Sequence, residues 1–121
     1  MNHDSVKAAI TGKAFYRERI ASPPDATFEA VLEDVSRADD KAEEIAKTKV
    51  VSPAGPPISF TIDYEADRID QSRSYSVRAR IVLGGELRFV SDRLYPVLTR
   101  GAGREVEILL RMVPKRAPGD R

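Results

Sequence analysis

Apolar and polar residues alternate along much of this chain, and the alternation is clearest in residues 75–81, Tyr-Ser-Val-Arg-Ala-Arg-Ile. A period of two residues is typical of a β-strand with one buried face. The glycine pair Gly84 and Gly85 follows, and a second alternating run begins after it. Because a glycine pair between two such runs suits a tight turn, the pattern predicts a β-hairpin over residues 73–91.

Other segments repeat the pattern, and proline-rich breaks at 22–25 and 52–57 separate them. Segment 36–51 is the least clear, since it can also be read as a short helix with an aspartate cap. Its only strongly apolar residue before Val50 is Ile45, which is too few to bury a helix face, so a turn followed by a strand is favoured. The further predicted strands are 8–19, 27–35, about 43–51, 58–64, 95–99 and 105–113.

Two residues inside these strands, Gly12 and Pro96, each predict a local structural feature. Gly12 lies in the interior of the first predicted strand, which indicates a bulge or the close approach of another backbone. Pro96 cannot donate a hydrogen bond to a neighbouring strand, so 95–99 is expected to be an edge strand.

The fold class follows from the spacing of these strands. Seven to eight strands without a convincing crossover helix predict an all-β protein, a single-domain antiparallel β-sandwich, with a small barrel as the alternative. A chain of 121 residues has the usual length of one domain. The domain is expected to cover residues 8–113, between disordered segments at 1–7 and 114–121.

The composition and the charge distribution limit the kinds of partner that the chain can have. The chain has no cysteine, and it shows no apolar run near the roughly 20 residues that span a bilayer, so it is expected to be soluble. Residues 1–67 carry 8 Lys or Arg and 13 Asp or Glu, whereas residues 68–121 carry 12 and 6. The basic half is compatible with nucleic-acid binding, but pairing of acidic strands with basic strands explains the asymmetry better. No nucleic-acid partner is therefore predicted, and a monomer is expected.

The residue types needed for catalysis are not arranged for it. His3 lies in the N-terminal segment, where a general base cannot be held against a substrate. Asp63, Glu65, Asp67 and Asp70 alternate as calcium ligands can, but the spacing does not fit a calcium-binding loop, and a solvated connection is favoured. The sequence therefore predicts no enzyme, no catalytic residue, no metal site and no cofactor.

Several short motifs occur along the chain, at 16–20, 23–24, 32–36, 55–60, Tyr64, 69–70, 75–81 and 95–99. In this order and spacing they resemble the YbaY/YscW-type lipoprotein domain of Gram-negative envelopes. The resemblance covers roughly residues 9–112, and it implies a β-sandwich tethered to a membrane by an N-terminal lipid, although no lipid-bearing cysteine precedes this domain. One branch of that family comprises the pilotins of type III secretion, which escort an outer-membrane secretin ring.

The leading functional hypothesis is a non-enzymatic envelope domain that binds a protein partner, an envelope or secretion component. A sandwich can do so by adding a partner strand at an open edge or by holding an apolar segment in a groove. The candidate binding residues are Arg78, Arg80, Arg88, Tyr95 and Val97. For the three arginines, the alternative is a solvated face on which they form salt bridges.

The expected location is the periplasm or the periplasmic face of the outer membrane, with the cytoplasm as the alternative. Membrane attachment is expected only through an N-terminal lipid that this chain does not carry. The second functional hypothesis is a module that binds a small ligand or glycan, which would need exposed aromatic side chains around one cleft. Its candidate side chains are Tyr16, Tyr64, Tyr75 and Tyr95.

Overall fold

The computed structural model describes residues 6–18, 25–36 and 41–114, and these residues form an all-β domain. Every predicted strand is present. In the described ranges no helix is both long enough and apolar enough to cross a membrane. The elements are β1 (Lys7–Phe15), β2 (Ala26–Asp34), β3 (Glu43–Val51), β4 (Ile58–Glu65), a 3₁₀ turn (Ala66–Arg68), β5 (Tyr75–Leu83), β6 (Glu86–Ser91), β7 (Tyr95–Val97) and β8 (Glu105–Met112).

Some strand boundaries differ from the prediction. The predicted strand 95–99 ends at Val97, because Leu98 has a φ of 73° and the Thr99 N–H donates to the Val97 carbonyl, which turns the chain. The first strand ends at Phe15 instead of continuing to residue 19, which lies outside the described residues.

The expected disordered ends lie largely outside the described residues, as does His3. One residue assigned to the N-terminal end behaves differently. Lys7 is already part of β1, where it pairs with Glu65 of β4, so the first strand begins one residue earlier than expected.

The strands form one curved sheet in the order β3-β2-β5-β6-β8-β1-β4, and β7 also pairs with β5. The predicted sandwich is therefore wrong in this respect, and the fold is a nearly closed barrel. Two separate layers do not exist, because Phe89 to Ser91 of β6 pair with β8 and thereby join the two halves of the sheet. The prediction of purely antiparallel pairing also fails at one place, since β1 and β8 run parallel.

Two register shifts help to bend the sheet. In the β5–β6 ladder Ile81 faces Phe89 and Val82 faces Leu87, so Arg88 is an extra residue. A second shift lies in the β2–β3 ladder at Leu32. An extra residue on one strand bends that strand and increases the local twist, which favours a closed sheet over two flat layers.

The interior of the barrel is filled by side chains from all eight strands, as an eight-stranded barrel allows. Phe28 and Phe60 lie at its centre with their ring centroids 5.2 Å apart. Tyr16 stacks on Phe89 at 4.6 Å nearer the end of the barrel that holds the β5–β6 turn. The alternating pattern in the sequence thus corresponds to inward and outward side chains, as predicted.

The sheet remains open between its two terminal strands. Residues 52–57 connect β3 directly to β4, yet no strand pairing joins these two strands in the described part of the chain. This opening is called the seam below. Each terminal strand therefore presents one edge of backbone N–H and C=O groups to the seam.

Candidate functional site

An open groove of about 930 Å³ lies at the seam. It is called the seam groove, and it takes its lining from β1, β3, β4 and β8. The lining residues are 11–13, Thr48, Val50, 59–61 and 105–107. The described surface thus has a concave site between two strands that leave an edge unpaired.

The floor of the seam groove depends on a glycine. Gly12 of β1 pairs with Phe60 of β4 on one side and with Val106 of β8 on the other. A Cβ atom at Gly12 would lie 2.4 Å from Cζ of Phe60 and 2.9 Å from Cγ1 of Val106. The expectation of a bulge or a close backbone at Gly12 is wrong, because the register is regular there and the atoms that approach Gly12 most closely belong to side chains.

The rim of the seam groove is polar and more acidic than basic. Glu105 and Glu107 pair with Thr11 and Lys13 across the parallel β1–β8 ladder, and three of these four residues are charged and exposed. Across the groove, Thr48 and Val50 of β3 lie on the inward face but are only half-buried, because β3 has no second neighbour there. The groove therefore combines an apolar floor with two carboxylates and one ammonium group.

The predicted arginine patch is largely neutralised by carboxylates. Arg78 donates to Glu33 of β2 from Nη2 at 2.7 Å and from Nε at 3.1 Å. Arg80 donates from Nε to Glu29 at 2.7 Å. These hydrogen bonds raise the pKa of Arg78 and lower the pKa of Glu29. The alternative interpretation, a salt-bridged outer face that pairs acidic β2 with basic β5, matches this arrangement.

Arg88 is not part of that paired cluster. It is the extra residue of the β6 bulge, and its buried Nε has no hydrogen-bond partner. The three arginines named from the sequence thus do not form one site.

The other two candidate residues, Tyr95 and Val97, lie in β7. Val97 is 0% exposed and belongs to the core, so its side chain is not available to a partner. The Tyr95 hydroxyl donates to Asp92 at 2.5 Å and accepts the Leu109 N–H of β8 at 2.9 Å. Strand β7 pairs with β5 alone, as an edge strand does, but these bonds and one from Leu98 to Gly103 cover its other side.

The residues considered for calcium and for glycans are arranged differently from what those sites require. Asp70 accepts hydrogen bonds from the backbone N–H and hydroxyl of Ser72, as expected for a solvated connection. Across the described ranges no group of three or more His, Asp or Glu side chains is placed to hold a metal ion. Tyr16, Tyr64 and Tyr75 are buried, so they do not surround an open cleft.

A buried carboxylate at the end of the barrel near Lys7 was not found by sequence reasoning. Asp34 is 8% exposed, and it accepts hydrogen bonds from the Ser36 N–H and from Nη1 of Arg73, each at 2.9 Å. Burial alone would raise the pKa of the Asp34 carboxyl, but these hydrogen bonds outweigh it and lower the pKa. The arrangement joins the ends of β2 and β5, and its role is structural.

We expect the Asp34 carboxylate to make the free energy of unfolding depend on pH. Because the pKa of Asp34 is lower in the folded state, its stabilising effect is present above the unfolded pKa of about 3.9 and is lost as the pH falls through the folded value. Urea unfolding between about pH 3 and 7 should show this loss in the wild type and a smaller loss in Asp34→Asn. Exposed Asp25 is the control, and Asp25→Asn should follow the wild type. Equal pH dependence of Asp34→Asn and wild type would contradict the prediction.

Comparison with known proteins agrees with the resemblance inferred from the sequence. A solved structure of an alternative pilotin from the type II secretion system of Vibrio cholerae is similar over 91% of this chain and 100% of that chain, with a TM-score of 0.87 and 39% identity. The uncharacterized lipoprotein YbaY of Escherichia coli strain K12 is 28% identical over 103 residues, which are 84% of this chain. This chain spans about half of that relative, 53% of its length. Residues 5–110 match the model of the type III secretion system lipoprotein chaperone YscW, and because the match covers most of the chain, the protein belongs to the YscW family.

Proposed function

We propose that this domain binds a protein partner in the bacterial envelope without catalysing a reaction, and that the seam groove holds a segment of a secretin subunit. The observation that carries the proposal is an open groove of about 930 Å³ with Val50, Phe60 and Val106 in its lining. Membership of a lipoprotein chaperone family and likeness to a solved pilotin support a partner-binding role.

The chemistry of the groove suits a short peptide segment. Apolar side chains of the segment can contact Val50 and Val106, while its backbone can hydrogen bond to the unpaired edges of β3 and β4. Glu105 and Glu107 on the rim favour a segment that also carries Lys or Arg. The expected occupant is thus an apolar segment flanked by a basic residue.

The proposed location is supported by the family. A lipoprotein chaperone works in the envelope, and we place this domain in the periplasm or on the periplasmic face of the outer membrane. Attachment to a lipid and action as a monomer belong to the same proposal.

The groove can be tested with adjacent residues that point to opposite sides of β3. Val50 lines the seam groove, whereas Val51 is exposed on the outer face. Overlapping peptides that cover the secretin subunit encoded in the same genome are titrated against the purified domain by fluorescence anisotropy. Val50→Glu should weaken binding of the best peptide about tenfold or more, because a carboxylate is brought onto the apolar floor beside an acidic rim.

The matched control is Val51→Glu, which should leave the affinity for that peptide within about twofold. Thermal unfolding of both variants shows whether the fold is retained. If Val50→Glu is unfolded, Thr48→Arg takes its place in the same experiment. Failure of every peptide to bind, or equal loss in the Val50 and Val51 variants, would overturn the groove as the binding site.

A further inference from the structure

A second surface, on the outer side of the sheet, combines exposed apolar side chains in one row. Thr27 of β2 pairs with Val51 of β3 and with Val82 of β5, and Val82 pairs with Leu87 of β6. Paired residues point to the same side of a sheet, so these four side chains form a continuous row, called the outer strip. Val51 is 72% exposed and Leu87 is 38% exposed.

The outer strip is independent of the seam groove. Successive residues of a strand point to opposite faces, so Val50 faces the groove and Val51 faces away from it. With strands about 4.8 Å apart, the row extends roughly 14 Å from Val51 to Leu87. This length suits a short segment of another chain that crosses the strands.

Positive charge predominates along one side of the outer strip, whereas exposed Asp25 and Glu86 lie on its other side, at the β5–β6 turn. The next outward row contains Lys49, Glu29, Arg80, Val90 and Arg111, as the pairings of β2 to β6 and β8 show. Glu29 is shared, since it accepts a hydrogen bond from Arg80 and lies 3.8 Å from Nζ of Lys49. One carboxylate therefore faces three cations in this row.

Two of the cations near the strip have no acidic partner among the described residues. Arg111 is exposed at the far end of the charged row. Arg88 lies in the bulge beside Leu87, and its buried Nε makes no hydrogen bond. Because the Nε of Arg88 is buried, Arg111 is the unpaired cation that a carboxylate of a second protein can reach.

From this arrangement we propose that the outer strip binds an acidic amphipathic segment of a second protein. Its apolar side chains contact Val51, Val82 and Leu87, and its carboxylates pair with exposed Lys49 and Arg111. The domain can then hold one segment in the seam groove and another on the outer strip. The strip lies at the opposite end of the strands from Lys7, where β1 begins.

The probe is a fluorescein-labelled peptide of alternating Glu and Leu, with an alternating Lys and Leu peptide as the charge-reversed control. The purified domain should bind the acidic peptide and bind the basic peptide at least about tenfold more weakly. Leu87→Glu and Val51→Glu should each weaken binding of the acidic peptide about tenfold, since each places a carboxylate beside the carboxylates of the peptide. Arg111→Gln should weaken it about threefold, and higher salt should reduce this difference.

Val50→Glu is the control for location, because it alters the groove and not the outer strip. It should leave the affinity for the acidic peptide unchanged, whereas Val51→Glu should leave the affinity for the groove peptide unchanged. The two proposals can therefore fail separately. Backbone chemical shifts of the labelled domain should change at Thr27, Val51, Val82 and Leu87 when the acidic peptide is added.

Three results would overturn the proposal. One is equal affinity for the acidic and basic peptides. Another is unchanged binding in both Val51→Glu and Leu87→Glu when thermal unfolding shows that they are folded. The third is adsorption to phosphatidylglycerol vesicles that the same two variants abolish, without specific binding of the acidic peptide, which would assign the strip to a membrane surface.

Discussion

Replacing Phe28 with alanine is expected to lower the free energy of unfolding by about 3–5 kcal/mol, the largest change predicted for this domain. Phe28 is 0% exposed, and its ring lies 5.2 Å from that of Phe60. The substitution removes a whole ring from the centre of the barrel, and a closed sheet has little freedom to collapse into the cavity. Urea unfolding should show the loss, and the melting temperature should fall by roughly 10–20 °C.

The control for Phe28→Ala is a large apolar residue outside the core. Leu94 is 60% exposed, so Leu94→Ala should change the free energy of unfolding by less than about 0.5 kcal/mol. A loss near 1 kcal/mol in Phe28→Ala would contradict the expectation. It would mean that β2 and β5 move inward to close the space, as strands of an open sandwich can.

The strands could be predicted because each has one solvent-exposed face and one buried face. In β4, the exposed positions are Ser59, Thr61 and Asp63, and the buried ones lie between them, so the alternation in the sequence is the alternation of burial. The same reasoning located β3 at 43–51 despite its weak apolar content. Local turn chemistry was harder to predict, since nothing in the letters Val-Leu-Thr indicates that Leu98 adopts a positive φ.

The closure of the barrel could not be predicted from alternation. An inward side chain looks the same in a sandwich and in a barrel, because both bury one face of every strand. The difference lies in which strands are neighbours, and the parallel pairing of β1 with β8 joins residues about 95 positions apart. The two register shifts, one at Arg88 and one in the β2–β3 ladder at Leu32, change the local curvature, and bulges of this kind leave no mark on a sequence that continues to alternate nearby.

The candidate site was predicted less well than the fold. Arginines on an outer face look the same whether they are free or paired, and Glu33 and Glu29 neutralise two of them only because β2 lies beside β5. The seam groove had two weak signals in the sequence. One was Gly12 inside a strand, and the other was the half-polar inward face of β3, where Thr48 stands in place of a larger apolar residue.

Gly12→Ala is expected to lower the free energy of unfolding by about 1–3 kcal/mol, through overpacking of the core. The sign is informative, because alanine in a strand interior is otherwise more stable than glycine by about 0.5–1 kcal/mol. Here the new methyl group meets Phe60 and Val106, and the Phe60 ring cannot retreat because it packs on Phe28. Gly103→Ala is the control, since a Cβ at Gly103 has no neighbour within 4 Å, and it should be neutral or slightly stabilising in urea unfolding.

A double-mutant cycle decides whether the cost of Gly12→Ala is steric. Phe60→Leu removes the ring atoms that the new methyl group meets, so the cost of Gly12→Ala should fall by about 1 kcal/mol in the Phe60→Leu background. If the free-energy costs of the two substitutions are additive, the cost of Gly12→Ala instead comes from the backbone at Gly12. If the coupling is present, the absence of a Cβ at Gly12 leaves the space that the Phe60 ring occupies. In that position the ring packs against Phe28 in the core and also lines the seam groove.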